Sequence, residues 1–158
     1  MKFINYALST LVLIGFGLSV SAQKYKTPAD TVKLNQEYVN VSNDIANINA
    51  QLTIAQNNLP GYQTKASTAT ANAQTAASTS SAGAAKATNG NIGDAKSAKN
   101  DADDAYDKAE DSRNANNNVG RQDEKIRKLK ARLHKKQQRL KDLDVMRNAI
   151  YAQIPSNQ

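Results

Sequence analysis

Ten cations crowd one stretch of the chain: Arg121, Lys125, Arg127, Lys128, Lys130, Arg132, Lys135, Lys136, Arg139 and Lys141. At helical spacing such a run makes a charged face, and its chemistry is electrostatic attraction of an anionic partner. An acidic run precedes it, from Asp94 to Asp111, and could pair with the basic run of a neighbouring molecule. Asp101, Asp103 and Asp104 do not make a calcium loop, because the required Gly and the terminal Glu are missing. His134 is the single His and the chain has no Cys. It sits among Arg132, Lys135 and Lys136, whose charge disfavours a metal there. No nucleophile motif, phosphate loop or zinc spacing occurs. The expectation is a protein that is not an enzyme, with no catalytic residue, cofactor or metal.

The N-terminus reads as an address. Lys2 gives a positive start, Ala7 to Val20 is apolar, and Val20-Ser21-Ala22 carries small residues where a signal peptidase cuts. Residues 1–22 are therefore expected as a signal peptide cleaved between Ala22 and Gln23, and the mature chain as periplasmic or secreted. The apolar run, about 14 residues, is short of the roughly 20 that a membrane span needs. No second apolar run follows, so no transmembrane span is expected in the mature chain. The partners for the basic face are then an anionic envelope component or the acidic face of another protein. Nucleic acid is disfavoured, since export separates the chain from it and no aromatic residue interleaves the cations for base stacking.

The elements that must carry these charges are helices. The chain has a net charge of +7 and lacks Trp and Cys, so neither a large core nor disulfides can hold it together. After a short basic tail, 23–27, Thr27-Pro28-Ala29-Asp30 is a helix start with a cap, a Pro in the first turn and an acid at the third position. A seam spaced alternately by four and three then runs through Leu34, Tyr38, Val41, Ile45, Ile48, Leu52, Ala55, Leu59 and Tyr62. It continues in small residues through Ala66, Ala69, Ala73, Ala76, Ser80, Gly83 and Ala87.

Thr88-Asn89-Gly90-Asn91-Ile92-Gly93-Asp94 reads as a reversal, with Asn91 capping the next helix. Beyond it Ala95, Ala98, Ala102, Ala105, Ala109, Ser112, Asn116 and Val119 form a second small seam. A bulky one follows through Ile126, Leu129, Leu133, Lys136, Leu140, Leu143, Arg147, Ile150 and Ile154. The two are out of phase by three residues, the size of a stammer. Pro155 ends the helix and residues 155–158 are a tail.

Folding at Gly90–Asn91 sets Leu52 near Leu129, Val41 near Leu140 and Ala84 near Ser97. The fold class is therefore all-α: a long antiparallel α-helical hairpin or coiled coil, its arms about 60 residues and roughly 90 Å each. One helical domain, 28–154, divides into a Leu/Ile-rich arm (28–59), an Ala-rich tip (62–119) and a basic arm (121–154). Pro60-Gly61 level with Gly120 suggests a joint. Reversals at 60 and 118 as well would give the alternative, a four-helix up-down bundle. A buried Leu contributes about 1.5–3 kcal/mol and a methyl group about 0.8, so the tip is marginal and suited to self-association.

Thr64 and Thr75, and Thr68 and Thr79, lie eleven apart among alanines, a pattern that resembles alanine-rich ice-binding helices. Ala95 to Asn116 resembles the eleven-residue repeats of desiccation-protective proteins. These resemblances imply a stress-protective helical protein. The reading preferred from the residues is an exported scaffold or interaction protein of the cell envelope, with a membrane-engaging hairpin as a further alternative.

Overall fold

The computed structural model describes residues 24–153. A single 3-10 turn, Pro28–Asp30, leads into helix α1, Thr31–Ala87, and helix α2, Ile92–Tyr151, returns along it. The two pack against each other over their length, and no strand occurs among the described residues. The hairpin is thus the architecture and the four-helix bundle is not.

The start is fixed by Asp30, whose Oδ2 accepts from the backbone N–H of Lys26 and of Thr27, each at 3.1 Å, and from Thr27 Oγ1 at 2.9 Å. At the reversal Gly90 takes φ +80°, a conformation that only Gly adopts without strain. Asn91 caps α2, its Oδ1 accepting from Gly93 N at 2.8 Å.

Both seams keep one phase from end to end. In α1 every stripe residue from Leu34 to Ala87 except Tyr62 is buried or half-buried. In α2 the inward positions are Asp94, Ala98, Asp101, Ala105, Lys108, Ser112, Ala115, Val119, Gln122 and Ile126, then every third or fourth residue to Ile150. Four of the small residues expected inside, Ala95, Ala102, Ala109 and Asn116, are exposed. The stammer does not exist. It arose from choosing Ala over Asp and Lys at inward positions, although a long polar side chain can cross the seam edge and keep its head in water. An unbroken repeat of seven over both arms is the period that winds two helices into a left-handed supercoil.

The expected joint is also absent, since α1 runs through Pro60 and α2 through Gly120 without interruption. Pro60 stands on an exposed position and removes one intrahelical bond. On the seam nearby, the buried Gln122 donates from Nε2 to the Ala55 carbonyl at 2.6 Å. A polar bridge of this kind at a seam position favours one register over its neighbours.

The apolar contacts fall into two clusters. At the base Leu34, Val41, Leu143, Met146 and Ile150 pack together with Tyr25, and Tyr38, Ile45 and Leu140 close over them. Further up, Ile48, Ala55, Ile126 and Leu129 are joined by Leu52, Leu59 and Leu133. Tyr25 is only 5% exposed, so part of the stretch expected as a basic tail is docked on the base. At the tip, a Cβ added to Gly83 would meet the Ala98 backbone at 3.4 Å and the Asp101 carboxylate. Gly83 lies seven residues before Gly90 and Ala98 seven after Asn91, so the register set by the large residues holds to the end of the hairpin.

Candidate binding surface on the basic arm

The ten cations do not form one surface. Two turn inward against acids of α1: Lys136 Nζ lies 2.6 Å from Asp44 Oδ2, and Arg139 Nη2 lies 2.6 Å from Glu37 Oε1. Glu37 gathers more than Arg139. Its Oε2 accepts from Tyr25 Oη at 2.6 Å and from Lys24 Nζ at 3.0 Å. The Tyr25 hydroxyl, then Arg139 and Lys24, hold the Glu37 carboxyl well below its usual range, at about 2, against the opposing effect of burial.

Heptad position sorts the remaining eight. Arg121, Lys125, Lys128, Arg132 and Lys135 follow one another at four, three, four and three along one flank of α2. Four of them, Arg121 to Arg132, border a shallow groove floored by Gly120 and Leu129, with Gln51 of α1 on the far side. Arg127, Lys130 and Lys141 stand on the other flank, where Lys141 shares a second shallow groove with His134 and Gln137. Glu124 occupies two of the eight: Arg127 Nη2 is 2.7 Å and Lys128 Nζ 3.4 Å from its carboxylate. Arg127 first, then Lys128, lowers the Glu124 carboxyl to about 2. Among the described residues no ion pair engages Arg121, Lys125, Lys130, Arg132, Lys135 or Lys141.

Sequence reasoning missed Glu37 and Asp44 as the residues that take two cations out of the face. Both are one position off the α1 seam, three residues after Leu34 and Val41, where antiparallel partners meet, and stepping one residue back from Tyr38 and Ile45 would have found them. His134 is exposed. No group of three or more His, Cys, Asp or Glu side chains able to hold a metal occurs among the described residues. No helix among them is long and apolar enough to cross a membrane. The expected cleavage site, Ala22 and Gln23, lies outside the described residues.

Geometry of this kind defines a class: an extended helical hairpin with exposed, charged flanks. Residues 53–151 match the family described as "Mitochondrial ATPase inhibitor, IATP", and the chain belongs to that family. Searches of curated proteins and of solved structures gave no match. The family is one of inhibitors and not of catalysts.

Membership corrects several expectations. An exported scaffold of the cell envelope, periplasmic or secreted, does not fit a family described as mitochondrial, nor does an envelope polyanion as partner. The stress-protective and membrane-engaging alternatives fall with it. The signal-peptide reading rested on a short apolar run and three small residues, which report local hydrophobicity and size more than destination. Thr64, Thr68, Thr75 and Thr79, behind the ice resemblance, are exposed off the α1 seam, and Ala95, Ala102 and Ala109, behind the desiccation resemblance, are exposed beside that of α2.

Proposed function

We propose that this chain is a non-catalytic inhibitor of a mitochondrial ATPase, and that it acts by docking its helical rod on that enzyme. The observation that carries the reading is the extent of the family match. It takes in the whole of α2 with every cation of the basic arm, and α1 from Thr53 onward. An inhibitor of this form needs no reactive group; it needs a stiff element and a surface. Two long helices on a continuous seam supply stiffness. The basic arm supplies a surface on which charge steers encounter and fixes orientation more than it adds affinity. The cellular setting that goes with this reading is the mitochondrion.

The outward cations are the contact residues we propose, with Lys136 and Arg139 left to hold the hairpin together. The test is ATP hydrolysis by a detergent-solubilised mitochondrial ATPase titrated with the protein. Hydrolysis should fall saturably, and added salt should weaken the effect. Lys130→Glu with Lys141→Glu should raise the half-inhibitory concentration about five- to tenfold, as expected for two rim charges. Hydrolysis unchanged at micromolar protein would overturn the reading.

A further inference from the structure

Seven residues apart on one flank of α1 stand Glu37, Asp44, Gln51 and Asn58. That flank faces the α2 flank of the cations, as the pairs Glu37–Arg139 and Asp44–Lys136 establish at the base. Further up, the series changes character. Gln51 and Asn58 are the uncharged counterparts of Glu and Asp at the same heptad position, and a neutral amide cannot balance a cation. Gln51 donates instead within its own helix, to Asn47 Oδ1 at 3.3 Å.

The cations opposite are therefore left without a counter-charge from α1. Arg121, Lys125, Lys128 and Arg132 are exposed and line one shallow groove, with Gln51 on its far side. Arg121, Lys125 and Arg132 make no ion pair among the described residues. Glu124 is the one acid among the lining residues. It is shared, 3.4 Å from Lys128 and 2.7 Å from Arg127 on the other flank. The groove thus holds four cations against part of one carboxylate.

The four follow one another a helical turn apart, in a row about 16 Å long, and do not converge on a point. A single phosphate reaches two neighbours in such a row. A thin, unbranched anion with a charge at every short step reaches all four, and each contact after the first is intramolecular. We propose that this groove binds linear inorganic polyphosphate. The heptad series on α1 carries the assignment: its acids close the base, and its amides leave the cations of the groove free for a ligand. No aromatic side chain lines the groove, so a polynucleotide would gain charge contacts without base stacking. The inference does not rest on the ATPase reading, because binding is measured with no ATPase present.

The experiment is fluorescence anisotropy of end-labelled linear polyphosphate, a chain of several tens of phosphates, titrated with the full chain in about 50 mM salt. Binding should saturate at micromolar protein. Its logarithm should fall against that of the salt concentration with a slope of about −3, as four cations releasing counterions give. Gln51→Glu keeps the shape of the side chain and places an acid opposite the groove; it should weaken binding about five- to tenfold. Gln56→Glu makes the same change in net charge on the opposite flank of α1 and should stay within about twofold. Lys125→Gln with Arg132→Gln should weaken binding about tenfold or more, and Lys130→Gln with Lys141→Gln about twofold or less. All these positions are exposed, and the far-ultraviolet helical signal controls for folding.

Tripolyphosphate and ATP are too short for the row and should bind at least about tenfold more weakly than the long chain. A single-stranded oligonucleotide of equal charge should also bind more weakly. No binding at micromolar protein in that salt would overturn the proposal. So would equal effects of Gln51→Glu and Gln56→Glu, equal effects of the two double variants, or ATP or the oligonucleotide binding as tightly as polyphosphate.

Discussion

Glu37 anchors both the docked N-terminal stretch and the second helix, so Glu37→Gln tests how the base is held. The substitution keeps the size of the side chain and removes its charge. It weakens a carboxylate that takes Tyr25 Oη at 2.6 Å, Arg139 Nη2 at 2.6 Å and Lys24 Nζ at 3.0 Å. The Glu37 carboxyl is lowered from 4.5 to about 2. At about 1.36 kcal/mol per unit, that shift corresponds to about 3 kcal/mol before screening. The side chains of Glu37 and Arg139 are 23% and 29% exposed and that of Lys24 is 63% exposed, so water shields part of it. About 1–2 kcal/mol is the expected contribution after that discount. The folded-state value is depressed, so the contribution is complete above the unfolded value and is lost as pH falls toward the folded one. The window is therefore between about 4.5 and 2. Urea unfolding followed by helical signal should show Glu37→Gln less stable by about 1–2 kcal/mol at neutral pH, with the difference nearly gone at the acid end of that window. A difference below about 0.3 kcal/mol at neutral pH, or one that persists undiminished in acid, would refute the charge clamp.

Leu143 is fully buried in the base, so Leu143→Ala should cost about 2–5 kcal/mol in the same assay, while the exposed Val145→Ala should stay within about 0.5 kcal/mol. Pro60 interrupts the bonding of an otherwise continuous helix at an exposed position, and Pro60→Ala should therefore stabilise the hairpin by about 1–3 kcal/mol, read as a higher urea midpoint. Amide exchange should be faster across residues 66–110 than across 126–150 in the monomer, because alanine contacts bury less apolar area than leucine contacts; equal protection would contradict the two-zone account.

The hairpin was legible because large apolar residues advertise their spacing. Leu34 to Leu59 and Ile126 to Ile150 gave the stripes, and Gly90-Asn91 gave the reversal. What failed was the acidic third of α2, where apolarity and position part company: Asp101 and Lys108 face the seam while Ala102 and Ala109 face water. With Ala as the largest apolar residue nearby, the hydrophobic signal is too weak to fix phase, and only counting back by seven from Leu129 through Gln122 recovers it. The basic arm was legible as a list and not as a surface. Which cations face out depends on Glu37 and Asp44, roughly a hundred residues away in sequence and adjacent only once the hairpin closes. Tyr25 was missed for the same reason, since its pocket is made of residues from both arms.

The open flanks and the ion pairs that close the base follow from one geometric fact: α1 and α2 lie antiparallel about Gly90 over their whole length. Spin-label distances in the monomer at high salt measure it directly, using Cys placed at the exposed positions Asn40, Ala82, Asn100 and Asp142. With helix axes about 8–10 Å apart, the pairs Asn40 with Asp142 and Ala82 with Asn100 should each fall within roughly 25 Å. Asn40 with Ala82, on one uninterrupted helix, should lie about 63 Å apart. A short distance between Asn40 and Ala82, as a chain folded back at Pro60 would give, or a long one between Asn40 and Asp142, would contradict the account.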